Sequence, residues 1–140
     1  MTFYAVIDTN VLVSALLSSH ADAATVQLVG RLILGEITPV YSSEIMTEYR
    51  EVLSRKKFKF DSNMIHYILS TIEKFGILVT PTATEVSLPD IKDLPFYEVV
   101  MEKRDDSAYL VTGNLKHFPA EPFIVTAHQM NDILDRKKQV

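Results

Sequence analysis

Four short stretches of the chain carry side chains suited to oxygen-ligand chemistry. In Val6-Ile7-Asp8-Thr9-Asn10 an acid follows Phe3 to Ile7, an apolar run rich in β-formers. An acid at the carboxyl end of a buried strand faces the crevice where open α/β sheets hold ligands. Asp, Thr and Asn are also good helix N-caps, so Asp8 reads both as a cap and as a functional acid. Glu48 lies three residues after Ile45 and four before Val52, which puts it at the border of a helix's apolar stripe. Its neighbours Glu44 and Glu51 belong to the solvated face. Asp90 and Asp93 stand in Leu-Pro-Asp-Ile-Lys-Asp-Leu-Pro-Phe, just ahead of another helix. A turn and a cap are their structural readings; the functional one needs Asp93 to join Asp8 at one crevice. Thr112-Gly113-Asn114 ends a buried strand on the same edge, and Asn114 offers either a neutral carbonyl oxygen or a turn conformation.

Oxygen ligands that converge without cysteine, and without a paired histidine motif, select Mg²⁺ or Mn²⁺ over zinc or copper. Such a site suits phosphodiester hydrolysis, because the ion lowers the pKa of water and neutralises charge on phosphoryl oxygens. A phosphatase with Asp8 as nucleophile would carry a second acid two residues on, where this chain has Asn10. The absence of cysteine excludes disulfide scaffolds, iron–sulfur clusters, thiolate zinc sites and cysteine nucleophiles. Eighteen acids against fourteen Lys plus Arg give a formal charge of −4, which does not advertise nucleic-acid binding. A carboxylate cluster alone can account for that deficit. Arg55-Lys56-Lys57-Phe58-Lys59 is a basic run with an aromatic inside it, readable as an RNA-backbone track or as a solvated helix end. Lys116 and His117 follow Asn114 closely and read as phosphate contacts or as idle loop residues. His20, His66 and His128 have no ligand-like spacing.

The elements that must position these groups alternate between strand and helix. Helical spacing starts at Thr9 with Val11, Leu12, Ala15 and Leu16, and a second helix spans Asp22 to Leu34, with Val26, Val29 and Ile33 on one face and Gly35 as its stop. Pro39 to Tyr41 is a brief strand, and Ser42 and Ser43 cap a helix over Ser43 to Lys56, striped by Ile45, Tyr49, Val52 and Leu53. A helix from Asp61 to Gly76 turns Met64, Ile65, Ile68, Leu69 and Ile72 inward. Strand Ile77 to Thr80, helix Leu94 to Lys103, strand Ala108 to Thr112, strand Phe123 to Thr126 and helix Ala127 to Lys137 complete the order. Short, continuously apolar strands between helices predict an α/β fold with a parallel sheet covered on both faces. At 140 residues, one domain over residues 1–140 is expected. No apolar run reaches a membrane span and the amino terminus lacks a leader pattern, so a cytoplasmic protein is expected.

Asp8-Thr-Asn after the first strand, Glu48 in Glu-Tyr-Arg-Glu-Val-Leu, Asp93 three residues before Phe96, and Tyr-Leu-Val-Thr-Gly-Asn at 109–114 together resemble the PIN domain. Within it, the chain is similar to the toxins of prokaryotic toxin–antitoxin pairs, the VapC-like ribonucleases. The resemblance runs from residue 3 to about residue 126. It implies a three-layer α/β/α sandwich with a mainly parallel sheet, and a metal-dependent endoribonuclease with a cognate antitoxin partner. It also implies metal binding by Asp8, Glu48 and Asp93, supported by Asn10 and Thr112. Many members carry Asp where this chain has Asn114, so the position contributes a neutral oxygen to the metal set and the site holds three acids rather than four. A catalytically weak or silent module that binds RNA or protein is the alternative this substitution motivates. The apolar residues of 11–34 could pack in a homo-oligomer as readily as in the core.

Overall fold

The computed structural model of the protein describes residues 2–138. Its elements are β1 (Tyr4–Ile7), α1 (Thr9–Leu17), α2 (Ala24–Ile33), β2 (Thr38–Tyr41), α3 (Ser43–Leu53), α4 (Ser62–Phe75), β3 (Ile77–Leu78), α5 (Leu94–Glu102), β4 (Tyr109–Val111), β5 (Ile124–Val125) and α6 (Ala127–Lys138). The five strands form one sheet in the order β3-β2-β1-β4-β5, and every pairing is parallel. Parallel pairing demands long crossovers, and helices supply them, so both faces are covered and the strands lose their alternation. Ala5, Val6, Leu110 and Val111 are accordingly fully buried. α5 lies against β1, β2 and β4, while α2 packs on both α1 and α6 and α3 packs on α4. The result is an α/β/α sandwich.

Strand order reverses at β1, with β2 on one side and β4 on the other, which makes the β1/β4 boundary the place where a crevice opens. Ile7 pairs with Val111, so Asp8 and Thr112 emerge side by side at the same level.

Local chemistry explains most boundaries. The Ser42 side chain accepts from the Ile45 N–H at 3.2 Å and starts α3, and Asp61 accepts from the Asn63 N–H at 2.9 Å to start α4. After α2, Gly35 takes φ 84°, its N–H bonds the Leu32 carbonyl, and the Glu36 N–H bonds the Arg31 carbonyl. These paired bonds are the Schellman arrangement that a left-handed glycine permits.

Three expectations need correction. α2 begins at Ala24 rather than Asp22, and its buried residues are Leu28, Val29 and Leu32, with Val26 and Ile33 at the rims of that stripe. α3 stops at Leu53, the last residue with core to pack against, so the basic run lies on a loop with a 3-10 turn at Lys56–Phe58 rather than on a helix end. Met64 is half-exposed: it stands in the first turn of α4 at the edge of the stripe of Ile65, Ile68, Leu69 and Ile72, about 40° beyond Ile68.

Gly76 joins α4 to β3 where the helix end closes on β2. A Cβ there would sit 2.3 Å from the Ile72 carbonyl oxygen and 2.7 Å from that of Pro39. At Gly30, inside α2, a Cβ would meet nothing within 4 Å. Gly76→Ala is therefore expected to destabilise the fold by about 1–3 kcal/mol, and Gly30→Ala to stabilise it by up to about 1 kcal/mol. Urea unfolding of the two variants checks both signs.

Candidate metal centre

Asp8 sits at the position before α1 but does not cap it. Its side chain makes no capping hydrogen bond, and the Val11 N–H goes to the Asp8 backbone carbonyl at 3.0 Å instead. The carboxylate is turned to β4: Oδ2 accepts from Thr112 Oγ1 at 2.8 Å and from Asn10 Nδ2 at 3.3 Å. Asn10 in turn accepts the Gly113 N–H on Oδ1 at 3.0 Å. Neutral donors from both strand ends thus hold a carboxylate that is only 4% exposed.

Glu48 arrives from α3. Thr9 Oγ1 donates to its Oε2, and the next residue, fully buried Tyr49, donates its hydroxyl to the Ile7 carbonyl. Those two bonds fix α3 against the end of β1. Asp93 comes from the turn Ile91–Asp93 that leads into α5, again with no capping bond from its side chain. Its Oδ2 lies 2.9 Å from His117 Nδ1. Asp90, just before it, accepts the Lys92 N–H at 3.0 Å.

Asp8, Asn10, Glu48 and Asp93 line one cleft of about 810 Å³, whose wall also carries Glu44, Glu51 and Glu98 and the basic Arg55 and Lys92. Each of the three acids is harder to ionise than an ordinary carboxyl. Burial pushes Asp8 up to about 6, against the Thr112 hydrogen bond, and the charges of Asp93 and Glu48 add to it. Burial also raises Glu48, opposed by the Thr9 hydroxyl and reinforced by Asp93. It raises Asp93, opposed by the hydrogen bond from His117 and reinforced by Asp90. Among the described residues no lysine or arginine forms an ion pair with these three. Arg55 on the cleft wall partly opposes the shift at Glu48; three desolvated, mutually repelling carboxylates with no lysine or arginine bonded to them have the chemistry of a donor set for a hard divalent cation such as Mg²⁺ or Mn²⁺. Among the described residues the one trio of acid and histidine side chains whose ligand atoms lie within 4.8 Å of one another is Asp90, Asp93 and His117; Asp8 and Glu48 share the cleft with Asp93 at a wider spacing.

The remaining candidates fall elsewhere. Thr112 is fully buried behind Asp8. Asn114 is exposed, gives its backbone N–H to Thr112 Oγ1 at 3.0 Å, and lines a neighbouring hollow rather than the acid cleft. Lys56 and Lys57 stand on the exposed 3-10 turn outside the cleft wall, and Lys57 lies 5.1 Å over the Phe58 ring. Lys116 is exposed on the turn Leu115–His117. Sequence reasoning overlooked Lys92 and the roles of Thr9 and Tyr49, whose partners are remote in sequence. Of the basic run it favoured Lys56 and Lys57, whereas the residue on the cleft wall is Arg55.

A family model described as PIN domain matches residues 4–116. No curated protein matches the chain, and no solved structure does.

The ionised acids oppose folding when no cation shields them. The Asp8 carboxyl goes from a pKa of 3.8 when free to about 6 in the fold, so between those pH values the native state keeps a proton that the unfolded chain has released. Stability then falls as pH rises through that window and levels off above it, a change of about 3 kcal/mol for Asp8 alone; Glu48 and Asp93 act in the same direction. In EDTA, the melting temperature is expected to fall from pH 4 to pH 7. Asp8→Asn should flatten that fall and melt higher than wild type at pH 7. A wild-type melting temperature that climbs over this range would contradict the assignment.

Proposed function

The chain belongs to the PIN domain family, a family of metal-dependent nucleases, and on that premise we propose that it is an endoribonuclease that uses Mg²⁺ or Mn²⁺. The observation that carries this reading is that Asp8, Glu48 and Asp93 line one cleft and that, among the described residues, none of them forms an ion pair with a lysine or arginine. These three residues would hold the cation. Bound there, a divalent cation supplies a lowered pKa for water and a counter-charge for the phosphoryl oxygens.

The chain's own groups do the rest. Thr112 and Asn10 hold the Asp8 carboxylate through Oδ2, and Thr9 orients Glu48, which either joins the cation's ligands or orients the attacking water. Arg55 and Lys92, on the cleft wall, meet the phosphates that flank the scissile bond. Lys56, Lys57 and Lys116 extend that contact outside the cleft. Hydrolysis leaves a 5′ phosphate and a 3′ hydroxyl.

The resemblance to VapC-like toxins extends the proposal to a toxin restrained by a cognate antitoxin, acting in the cytoplasm as a homo-oligomer, with residues 1–140 as one nuclease domain. Among the described residues no helix is long and apolar enough to cross a membrane. A silent RNA- or protein-binding module is the competing reading, motivated by Asn114. Against it, Asn114 does not line the acid cleft, so its neutral amide leaves the three cleft carboxylates intact.

Purified wild type should cleave a mixed single-stranded RNA with Mn²⁺ or Mg²⁺ and not with EDTA. Asp8→Asn should cut cleavage on the order of 100-fold or more while the protein stays folded. Absence of cleavage by protein shown to carry no antitoxin would favour the silent module.

A further inference from the structure

Of the three acids Asp8, Glu48 and Asp93, only Asp93 has a backbone that stands neither at a strand end nor within an α-helix. It lies on the turn Ile91–Asp93, and its side chain makes no capping bond to α5, so the helix does not fix the carboxylate. What meets it comes from the loop after β4: His117 Nδ1, 2.9 Å from Oδ2. That is hydrogen-bond length. An ionised carboxylate only accepts, so Nδ1 carries the proton in that state.

The loop is built to hold such a contact. Its first residue, Thr112, is buried and bonded to Asp8. The Gly113 N–H is bonded to Asn10 and the Asn114 N–H to Thr112. The His117 N–H closes on the Asn114 carbonyl at 3.0 Å, and buried Phe118 anchors the far end. Thr112 and His117 therefore grip two acids of the cleft from a single stretch of six residues.

We propose that His117 is a positioning residue: its imidazole holds the Asp93 carboxylate, so that the loop 112–117 sets the placement of Asp8 and Asp93 together for the cation. This rests on the reading of Asp8, Glu48 and Asp93 as cation-binding acids. Direct ligation by Nδ1 is the competing role, since Asp90, Asp93 and His117 bring ligand atoms within 4.8 Å of one another; positioning requires Nδ1 to carry the proton of the 2.9 Å contact, which leaves that nitrogen no lone pair for an ion.

The choice of nitrogen yields the test. An Asn side chain places its amide nitrogen as many bonds from the backbone as Nδ1, a Gln places it one bond farther, and a Leu keeps bulk without a donor. Mn²⁺ affinity is measured by calorimetry on wild type, His117→Asn, His117→Gln, His117→Leu and Asp93→Asn, with melting in EDTA as the fold check. The Gln and Leu variants should bind Mn²⁺ about 10- to 100-fold more weakly, and the Asn variant within about threefold of wild type, as expected for loss and retention of a ligand's hydrogen-bond partner. In RNA cleavage the defect should lie in the Mn²⁺ concentration required, with turnover recovering at saturation. The comparison of Asn with Gln decides the matter even if the Leu variant folds poorly. Equal Mn²⁺ affinity in all three His117 variants, with Asp93→Asn weakened, would overturn the positioning role alone. Unchanged affinity in Asp93→Asn would overturn the underlying cation reading. A ¹⁴N coupling in the pulsed EPR spectrum of the Mn²⁺-loaded wild type, lost in His117→Leu, would make His117 a ligand and also overturn the proposal.

Discussion

The hydrogen bond from Thr112 to Asp8 joins the first residue beyond β1 to the first beyond β4, at the boundary where the order of strands reverses. Two strands that are far apart in sequence must be in register for it to form, since Ile7 has to face Val111. A slip of one residue would turn the pair's side chains to opposite faces of the sheet. The apolar runs that bury both strands thus also decide whether the cleft exists. Tyr49 extends the same dependence to α3, because its hydroxyl bonds the Ile7 carbonyl and its neighbour Glu48 receives the Thr9 hydroxyl. Sheet register, helix docking and acid placement are one set of contacts.

That set works against stability. Asp8 is buried with neutral partners only, and Asp93 and Glu48 add like charge to it. In a site meant for structure alone, a buried carboxylate would be matched by Arg or Lys. Here the basic side chains pair elsewhere: Arg31 with Asp135, Arg50 with Glu73, Arg55 with Glu51 and Lys103 with Asp106. The hydroxyl and amide groups of Thr112, Asn10 and Thr9 orient the acids without discharging them. That division is what a cation site needs, since a resident ammonium or guanidinium would compete with the ion for the same oxygens.

Much of the fold was legible because parallel strands buried on both faces read as short apolar runs, and each helix carried a stripe. Asp8 was legible for the same reason: the end of a buried run marks the sheet's carboxyl edge. Glu48 could be singled out from Glu44 and Glu51 by its place beside the stripe. What spacing could not reveal was which side chains face each other across elements. The pairing of His117 with Asp93 spans 24 residues and that of Tyr49 with Ile7 spans 42, and neither has a periodic signature. Capping statistics also misdirected the reading, since Asp8 and Asp93 occupy cap-like positions without making the cap bond. The carboxylates had other partners, supplied by a loop whose shape only the folded sheet determines.

The acidic balance of the chain takes on a different meaning once the charges are placed. Its formal charge is −4, and of the six acids that line the cleft three, Asp8, Glu48 and Asp93, are the ones proposed to hold the cation. They stand together where an RNA phosphate would have to approach, so these carboxylates by themselves repel the very group the protein is proposed to cut. A divalent cation would offset two of those charges, and Arg55 and Lys92 on the wall would then act with it. Net charge therefore says little about affinity for RNA here. The relevant quantity is the field at the cleft, and it is set by whether the three oxygens' worth of charge is answered by an ion.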